Sequence, residues 1–359
     1  MPSAFNPAAP FVGLILDFLT LPQHWRSRNL AMLSMIGWLS TYNLIYAINA
    51  VIWEGNVDVR VPVWCDIATK IKIGADVAVP VCFMCIAKRL NRIASGVETQ
   101  QRVSDLWLCL GLPFLTMGLH IIVQGHRFDI LENIGCIPAV YTSWLSMFIL
   151  ELSGLIPAIV ALVFCGLTLF KLYRRRVAFR TTLSTQSFLT PSRFIRLMIT
   201  TLFLGTWNSL LISVVIYKEY YETGLEPWTS WAQVHFHFSY IGQYPLSEKF
   251  FSPATFIYTY VLWAAIPFSS LCVFLLFGLG NEAMKDYRTS VDWIRQNILR
   301  RPAAHEFRCG VVPQSNGDRS KFKILTTDAK QYDEKPLPPT PVTPFVILYP
   351  HAAVVDLAA

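Results

Sequence analysis

Four ionisable residues crowd one apolar stretch of this chain. Asp66, Lys70, Lys72 and Asp76 all fall within residues 64–88, which are otherwise dominated by Ile, Val, Ala and Cys. Inside hydrocarbon such groups are costly, so they mark either function or a protein-lined interior. Asp66 and Lys70 are four residues apart, as are Lys72 and Asp76, which lets each pair meet on one helix face. At roughly 100° per residue Lys70 and Lys72 lie about 200° apart, so the two pairs point to different sides. A helix bathed in lipid all round cannot carry that pattern. This helix must be central, with protein or water on most sides. For Lys72 and Asp76 mutual neutralisation is the simpler reading. For Asp66 and Lys70, nearer the outer end, ligand contact stands beside it.

Catalytic chemistry has little to stand on. His24, His126, His235 and His237 fall in loops and His305 and His351 near the C-terminus, so that only His120 approaches an apolar stretch. No His/Asp cluster has metal-ligand spacing and no Ser/His pair is placed for nucleophilic attack. The stretch 255–279 has no lysine for a retinal Schiff base. No enzyme activity, cofactor or metal is expected. Internal duplication of the kind common in secondary transporters is also missing.

The elements that position these residues are seven apolar stretches, at about 4–21, 30–53, 64–88, 105–124, 145–171, 194–217 and 255–279. Each is near the roughly 20 helical residues that cross a hydrocarbon core of about 30 Å. With 53% hydrophobic and 15% charged residues, the composition is that of a membrane protein. The first stretch is the weakest, being interrupted by Pro10 and Asp17. The net charge of +7 does not point to nucleic acid, because its distribution is one-sided. Segments 22–29, 88–104 and 171–196 hold thirteen Lys and Arg, whereas the alternate segments hold four: Arg60, Arg127, Lys218 and Lys249. The positive-inside rule then places the N-terminus outside and the C-terminus in the cytosol.

Trp25, Trp53, Trp64, Trp107, Trp144 and Trp228 sit at predicted span ends and read as an interfacial belt. Asn43, Asn49, Glu151 and Asn208 are expected to hydrogen-bond between helices, at roughly 0.5–2 kcal/mol each. Pro80, Pro113, Pro157 and Pro267 are expected to bend their spans. Of the eight cysteines, Cys65 and Cys136 fall on the predicted outer, oxidising face and are expected to form a disulfide. Residues 1–280 thus form a seven-helix membrane domain. Residues 281–299 are predicted to form an amphipathic helix on the inner surface, and 300–359 a disordered cytosolic tail rich in Pro around 334–344.

Several segments together resemble the a-factor-type family of fungal mating-pheromone receptors. They are LPQHWRSRN at 21–29, INAVIW at 48–53, PVWCDIATKI at 62–71, CIAKRLNRI at 85–93, SRFIRLM at 192–198, EPWTSWAQVHFHFSYIGQYP at 226–245 and GLGNEAMKDYR at 278–288. They occur in the family's order and cover roughly residues 10–290. The resemblance implies a G-protein-coupled receptor in the plasma membrane. Its ligand would be an isoprenylated peptide pheromone and its partner a heterotrimeric G protein. The family often carries a proline in the sixth span, where this chain has only Gly205 as a local weak point.

Under that resemblance the aromatic loop 218–250 is expected to wall the pheromone site, with Asp66, Lys70, Glu226, Trp228, Trp231, His235 and Phe238 as ligand contacts. Arg174, Arg175, Arg176, Arg180, Arg193 and Arg196 are expected to meet the G protein, the competing role for these charges being topology and anionic lipid. A seven-span transporter or channel, or a receptor-like homologue with a non-mating ligand, remains the alternative.

Overall fold

The computed structural model describes residues 7–96, 103–174, 191–222, 224–246, 252–280, 283–284 and 287–289. The chain divides into two units, Met1–Ala303 and Ala304–Ala359. The second unit, and with it nearly all of the expected tail, lies outside the described residues, as does most of 281–299.

Among the described residues, seven long helices run through the first unit. They are α1 (Ala8–Arg26), α2 (Leu30–Ile52), α3 (Pro62–Ala94), α4 (Val103–Leu119, continued by a 3-10 turn His120–Val123), α5 (Trp144–Arg174), α6 (Pro191–Val215, continued by a π segment Ile216–Glu222) and α7 (Pro253–Val273, continued by a π segment Phe274–Gly278). Five of them, all but α1 and α3, are long and apolar enough to cross a membrane by length and composition. The two exceptions carry their polar groups inward. Asp17 of α1 is fully buried and Lys72 of α3 nearly so, so hydropathy understates how well each suits a bilayer.

The third helix is the hub, as its charge pattern requires. Its 33 residues rise about 50 Å, well beyond a hydrocarbon core of about 30 Å. It packs against α2, α4, α5 and α6. The inner half of the bundle is an apolar core in which Val81, Phe83, Ile86 and Leu90 of α3 meet Met35, Leu39, Phe194 and Phe277. Cys82 and Cys85 are buried in the same core.

A buried polar knot joins α1, α2 and α7. The Asn43 amide donates to Asp17 Oδ2 at 3.2 Å and to Ser270 Oγ at 2.8 Å, and the Ser270 hydroxyl reaches Asp17 Oδ2 at 3.0 Å. Asn43 therefore bonds between helices as expected, and so does Asn49, whose Oδ1 accepts from Trp64 Nε1 at 2.9 Å. Asn208 does not. Its amide donates to Leu204 O within its own helix, where the nearest free acceptor lies one turn back.

The loops around the head of α3 add a small sheet that the sequence pattern did not foretell. Strands β1 (Phe128–Leu131) and β2 (Gly135–Ile137) form an antiparallel hairpin, and β3 (Ile241–Tyr244) pairs parallel to β1. The hairpin turns tightly because Asn133 (φ 65°) and Gly135 (φ 80°) take left-handed backbone. Only glycine fits at 135: a Cβ there would sit 2.6 Å from Asn49 Cβ and 2.7 Å from Trp53 Cε3.

Candidate functional site

The hairpin is a roof, held in three ways. Cys136 of β2 is disulfide-bonded to Cys65 in the first turn of α3, the pairing the sequence predicted. Around that bond Trp53, Phe128 and Ile130 are fully buried in a compact apolar cluster. Trp53 thus belongs to the roof's core and not to an interfacial belt, its Nε1 donating to Asp58 O at 2.9 Å. Trp25, Trp107 and Trp144 are exposed, as a belt requires. The third restraint comes from below, where Lys72 Nζ donates to the Cys136 carbonyl at 2.8 Å.

Beneath the roof lies a cavity of about 550 Å³ between α2, α3, α5, α6 and α7. Leu131, Ile134, Ile137 and Pro138 close its outer side, and Leu39, Val79, Ile266 and Ser269 form its floor. Its walls are polar and aromatic: Tyr42, Tyr46, Lys72, Asp76, Glu151, Asn208, Glu219, Tyr258 and Trp263. The ammonium of Lys72 lies 4.5 Å from the Tyr46 ring centroid and 5.9 Å from that of Tyr42, within cation–π range. Tyr258 donates to Glu219 Oε1 at 3.2 Å, linking α7 to α6. Glu151 and Glu219 both sit in π segments, Met147–Glu151 and Ile216–Glu222. Such wide turns occur mostly as single insertions and recur at functional sites.

Neither pair expected along α3 closes into a direct ion pair, although Lys72 and Asp76 remain electrostatic partners. Asp66 accepts two hydrogen bonds from Arg127, from Nε at 2.9 Å and from Nη2 at 2.6 Å, rather than turning to Lys70. A forked guanidinium satisfies both carboxylate oxygens at once, which a lysine one turn away cannot. That contact holds the Arg127 guanidinium above its ordinary range. Lys70 Nζ instead lies 2.7 Å from His120 Nδ1 and donates to Gln124 Oε1 at 2.7 Å. Lys72 is likewise drawn to the roof, although Asp76 remains its electrostatic neighbour.

The remaining expected contacts form a separate patch. Trp228 Nε1 donates to Ile122 O at 3.0 Å, and the His235 ring, stacked on Trp231 at 3.9 Å, lies 2.8 Å from Ile121 O. Phe238 is 5.5 Å from His235, and Glu226 is exposed, its backbone N–H bonded to Thr142 O. The patch thus covers the end of α4. None of Asp66, Lys70, Glu226, Trp228, Trp231, His235 or Phe238 lines the cavity, and the expected loop 218–250 reaches it through Glu219, Tyr220 and Tyr244. The cavity's own acids were legible only in part. Glu151 stood out as a polar residue in a span, whereas Glu219 lay past the point where the sixth apolar stretch ends.

At the opposite end, Lys171 ties α5 to α3 through Asn91 Oδ1 and Ser95 Oγ, both at 2.7 Å. Arg174 lies over the Phe170 ring at 4.9 Å, and Arg196 of α6 rests against Gly280 beyond α7. Arg175, Arg176, Arg180 and the side chain of Arg193 fall outside the described residues.

Comparison with known proteins agrees with this architecture. The family model for the pheromone A receptor matches residues 5–295. The pheromone B beta 1 receptor of Schizophyllum commune is 36% identical over 330 residues, covering 89% of this chain and 59% of the relative. Pheromone receptor 1 of Mycosarcoma maydis is 28% identical, covering 78% and 82%. The pheromone a factor receptor of Saccharomyces cerevisiae is 27% identical, covering 77% and 59%. The chain spans about half the length of the Schizophyllum commune receptors it matches. With the profile running from the first helix past the last, this multi-pass, seven-helix membrane protein belongs to the pheromone A receptor family.

Proposed function

We propose that this chain is a plasma-membrane receptor for a lipid-modified peptide mating pheromone, signalling to a heterotrimeric G protein. The observation that carries the reading is the roofed, polar-walled cavity under the Cys65–Cys136 hairpin, in a chain of this family. A cavity of this volume falls in the range of small-molecule and peptide side-chain sites. The N-terminus and the roof face outward, and the basic segment 171–196 faces the cytosol, where Arg174, Arg175, Arg176, Arg180, Arg193 and Arg196 meet the G protein. Asp66, Lys70 and the patch of Glu226, Trp228, Trp231, His235 and Phe238 form the outer approach over which the peptide reaches the cavity.

The mechanism is a population shift. A ligand seated between α5, α6 and α7 favours one arrangement of these helices over another, and only that difference in affinity drives the change. The Tyr258–Glu219 bond and the π segments of α5 and α6 are wall elements that such a rearrangement would remodel. At the inner end, Arg196 against Gly280 couples α6 to the end of α7.

The test is nucleotide exchange. Membranes containing the receptor and a co-expressed fungal Gα are challenged with a library of prenylated peptides, and GTP binding is measured. Exchange that depends on both peptide and receptor is expected. Solute flux without exchange would overturn the reading in favour of a transporter.

A further inference from the structure

The cavity holds more negative groups than its walls neutralise. Among the described residues Asp76, Glu151, Glu219 and Asp129 line it, against Lys72 as the one cationic residue. Asp129 is paired with His126 at 2.6 Å, and Glu219 accepts from Tyr258. Lys72 is committed to the Cys136 carbonyl and the Tyr46 ring, with Asp76 as its electrostatic partner. Glu151 opens onto the cavity and, among the described residues, makes no hydrogen bond or ion pair. Its electrostatic neighbours are two further carboxylates, Asp76 and Glu219.

Two physical facts then point the same way. An enclosed carboxylate without a counter-charge, as Glu151 is, is strongly unfavourable, and an incoming cation relieves that cost as a neutral group cannot. The adjoining wall is also built for cations. Tyr42 and Tyr46 already seat one ammonium on their faces, and Trp263 extends the aromatic surface at 6.3 Å from Tyr46.

We infer that the cavity takes a cationic group of the ligand, a primary ammonium or a guanidinium, which ion-pairs with Glu151 and Asp76 against the tyrosine-lined wall. This rests on the receptor reading above and adds the charge that the ligand must bring. A ligand with a neutral isostere at that point loses about tenfold or more in affinity, the usual worth of a charge-assisted hydrogen bond in an enclosed site.

Two measurements on the full-length receptor in lipid nanodiscs test it. In the first, thermal unfolding is followed while Nα-acetyl-L-arginine methyl ester or its neutral isostere Nα-acetyl-L-citrulline methyl ester is added. The arginine ester is expected to raise the melting temperature in a saturable way, the citrulline ester is not, and E151Q is expected to need about ten times more arginine ester for the same shift. Equal shifts by both esters, or an unchanged arginine response in E151Q, overturn the inference. D76N makes the same comparison if E151Q does not fold. In the second, the prenylated-peptide library is divided by charge. Exchange driven equally well by peptides lacking Lys, Arg and a free amine overturns the inference and leaves the receptor reading standing. Failure of every peptide, with the ester selectivity intact, overturns the receptor reading alone.

Discussion

The outer face is covered by two pieces of chain built on opposite plans. The hairpin 128–137 is small, its apolar residues chiefly aliphatic, and Phe128, Ile130 and Cys136 are fully buried within it. The stretch 224–240 is long and aromatic, with Phe236 78% exposed and Tyr240 56%. The first is fixed by a covalent bond, by a buried tryptophan and by an ammonium from the membrane interior. The second is fastened by hydrogen bonds to carbonyls of Ile121, Ile122 and Thr142. The difference separates what builds a binding wall from what decorates a surface. A wall residue has already spent its apolar surface on its neighbours. An exposed aromatic has not, and its abundance in the sequence reports the open surface.

The comparison is broken most severely at the disulfide. Cys136→Ser removes a crosslink whose loss costs about 2–5 kcal/mol in small secreted domains, and less in a bundle held by other contacts. Surface display and ligand response should both fall at least tenfold, and Cys65→Ser should match it. Wild-type response in either variant would mean that the roof stands without its covalent anchor.

Next comes Gly135→Ala, which places a Cβ against Asn49 and Trp53 in left-handed backbone. A cost of about 2 kcal/mol is expected from the backbone and overpacking together. It should appear as a lower melting temperature and faster proteolysis within 124–143. Lys72→Met comes third, leaving the Cys136 carbonyl without its donor at a cost of about 1–3 kcal/mol. Hydrogen exchange at the hairpin amides should rise, while α4 stays protected.

On the outer approach, Arg127→Gln should be milder. The Asp66–Arg127 pair is bidentate, but the side chains are 39% and 34% exposed, so solvent screening limits it to about 0.5–1 kcal/mol. The effect should shrink further in high salt. Smallest are Trp228→Ala, Trp231→Ala and His235→Ala, each expected to change ligand potency about two- to fivefold without altering display, as peripheral interface contacts do. A tenfold loss at any of them would move that residue from the approach into the binding wall.

Much of this fold was legible in the sequence, and the failures have physical causes. Apolar length located the helices, but it measures affinity for lipid, not helicity. Apolar length therefore ends the first span near Pro22, whereas the helix continues to Arg26 with Gln23 and His24 buried and His24 edge-on to Phe277 at 4.9 Å. For the same reason α3 runs on past Lys88 to Ala94. The sheet was invisible because strands of three or four residues carry too little period-two signal. The disulfide was legible from compartment alone. The i,i+4 charge pairs of α3 were not, because spacing shows which partners are within reach and not which tertiary partner outcompetes them. Arg127, 61 residues away, was that competitor for Asp66.

The knot between Asp17, Asn43 and Ser270 sets a schedule for biosynthesis. A translocon receiving α1 meets a carboxyl group that hydrocarbon rejects. Its first partner, Asn43, emerges 26 residues later, but the hydroxyl that completes the set follows 253 residues behind Asp17. At ribosomal speeds of about 5–20 residues per second, that delay is on the order of 10–50 s. Through that interval the first helix waits, half satisfied, at the edge of the assembling bundle. The last helix to be made settles the first.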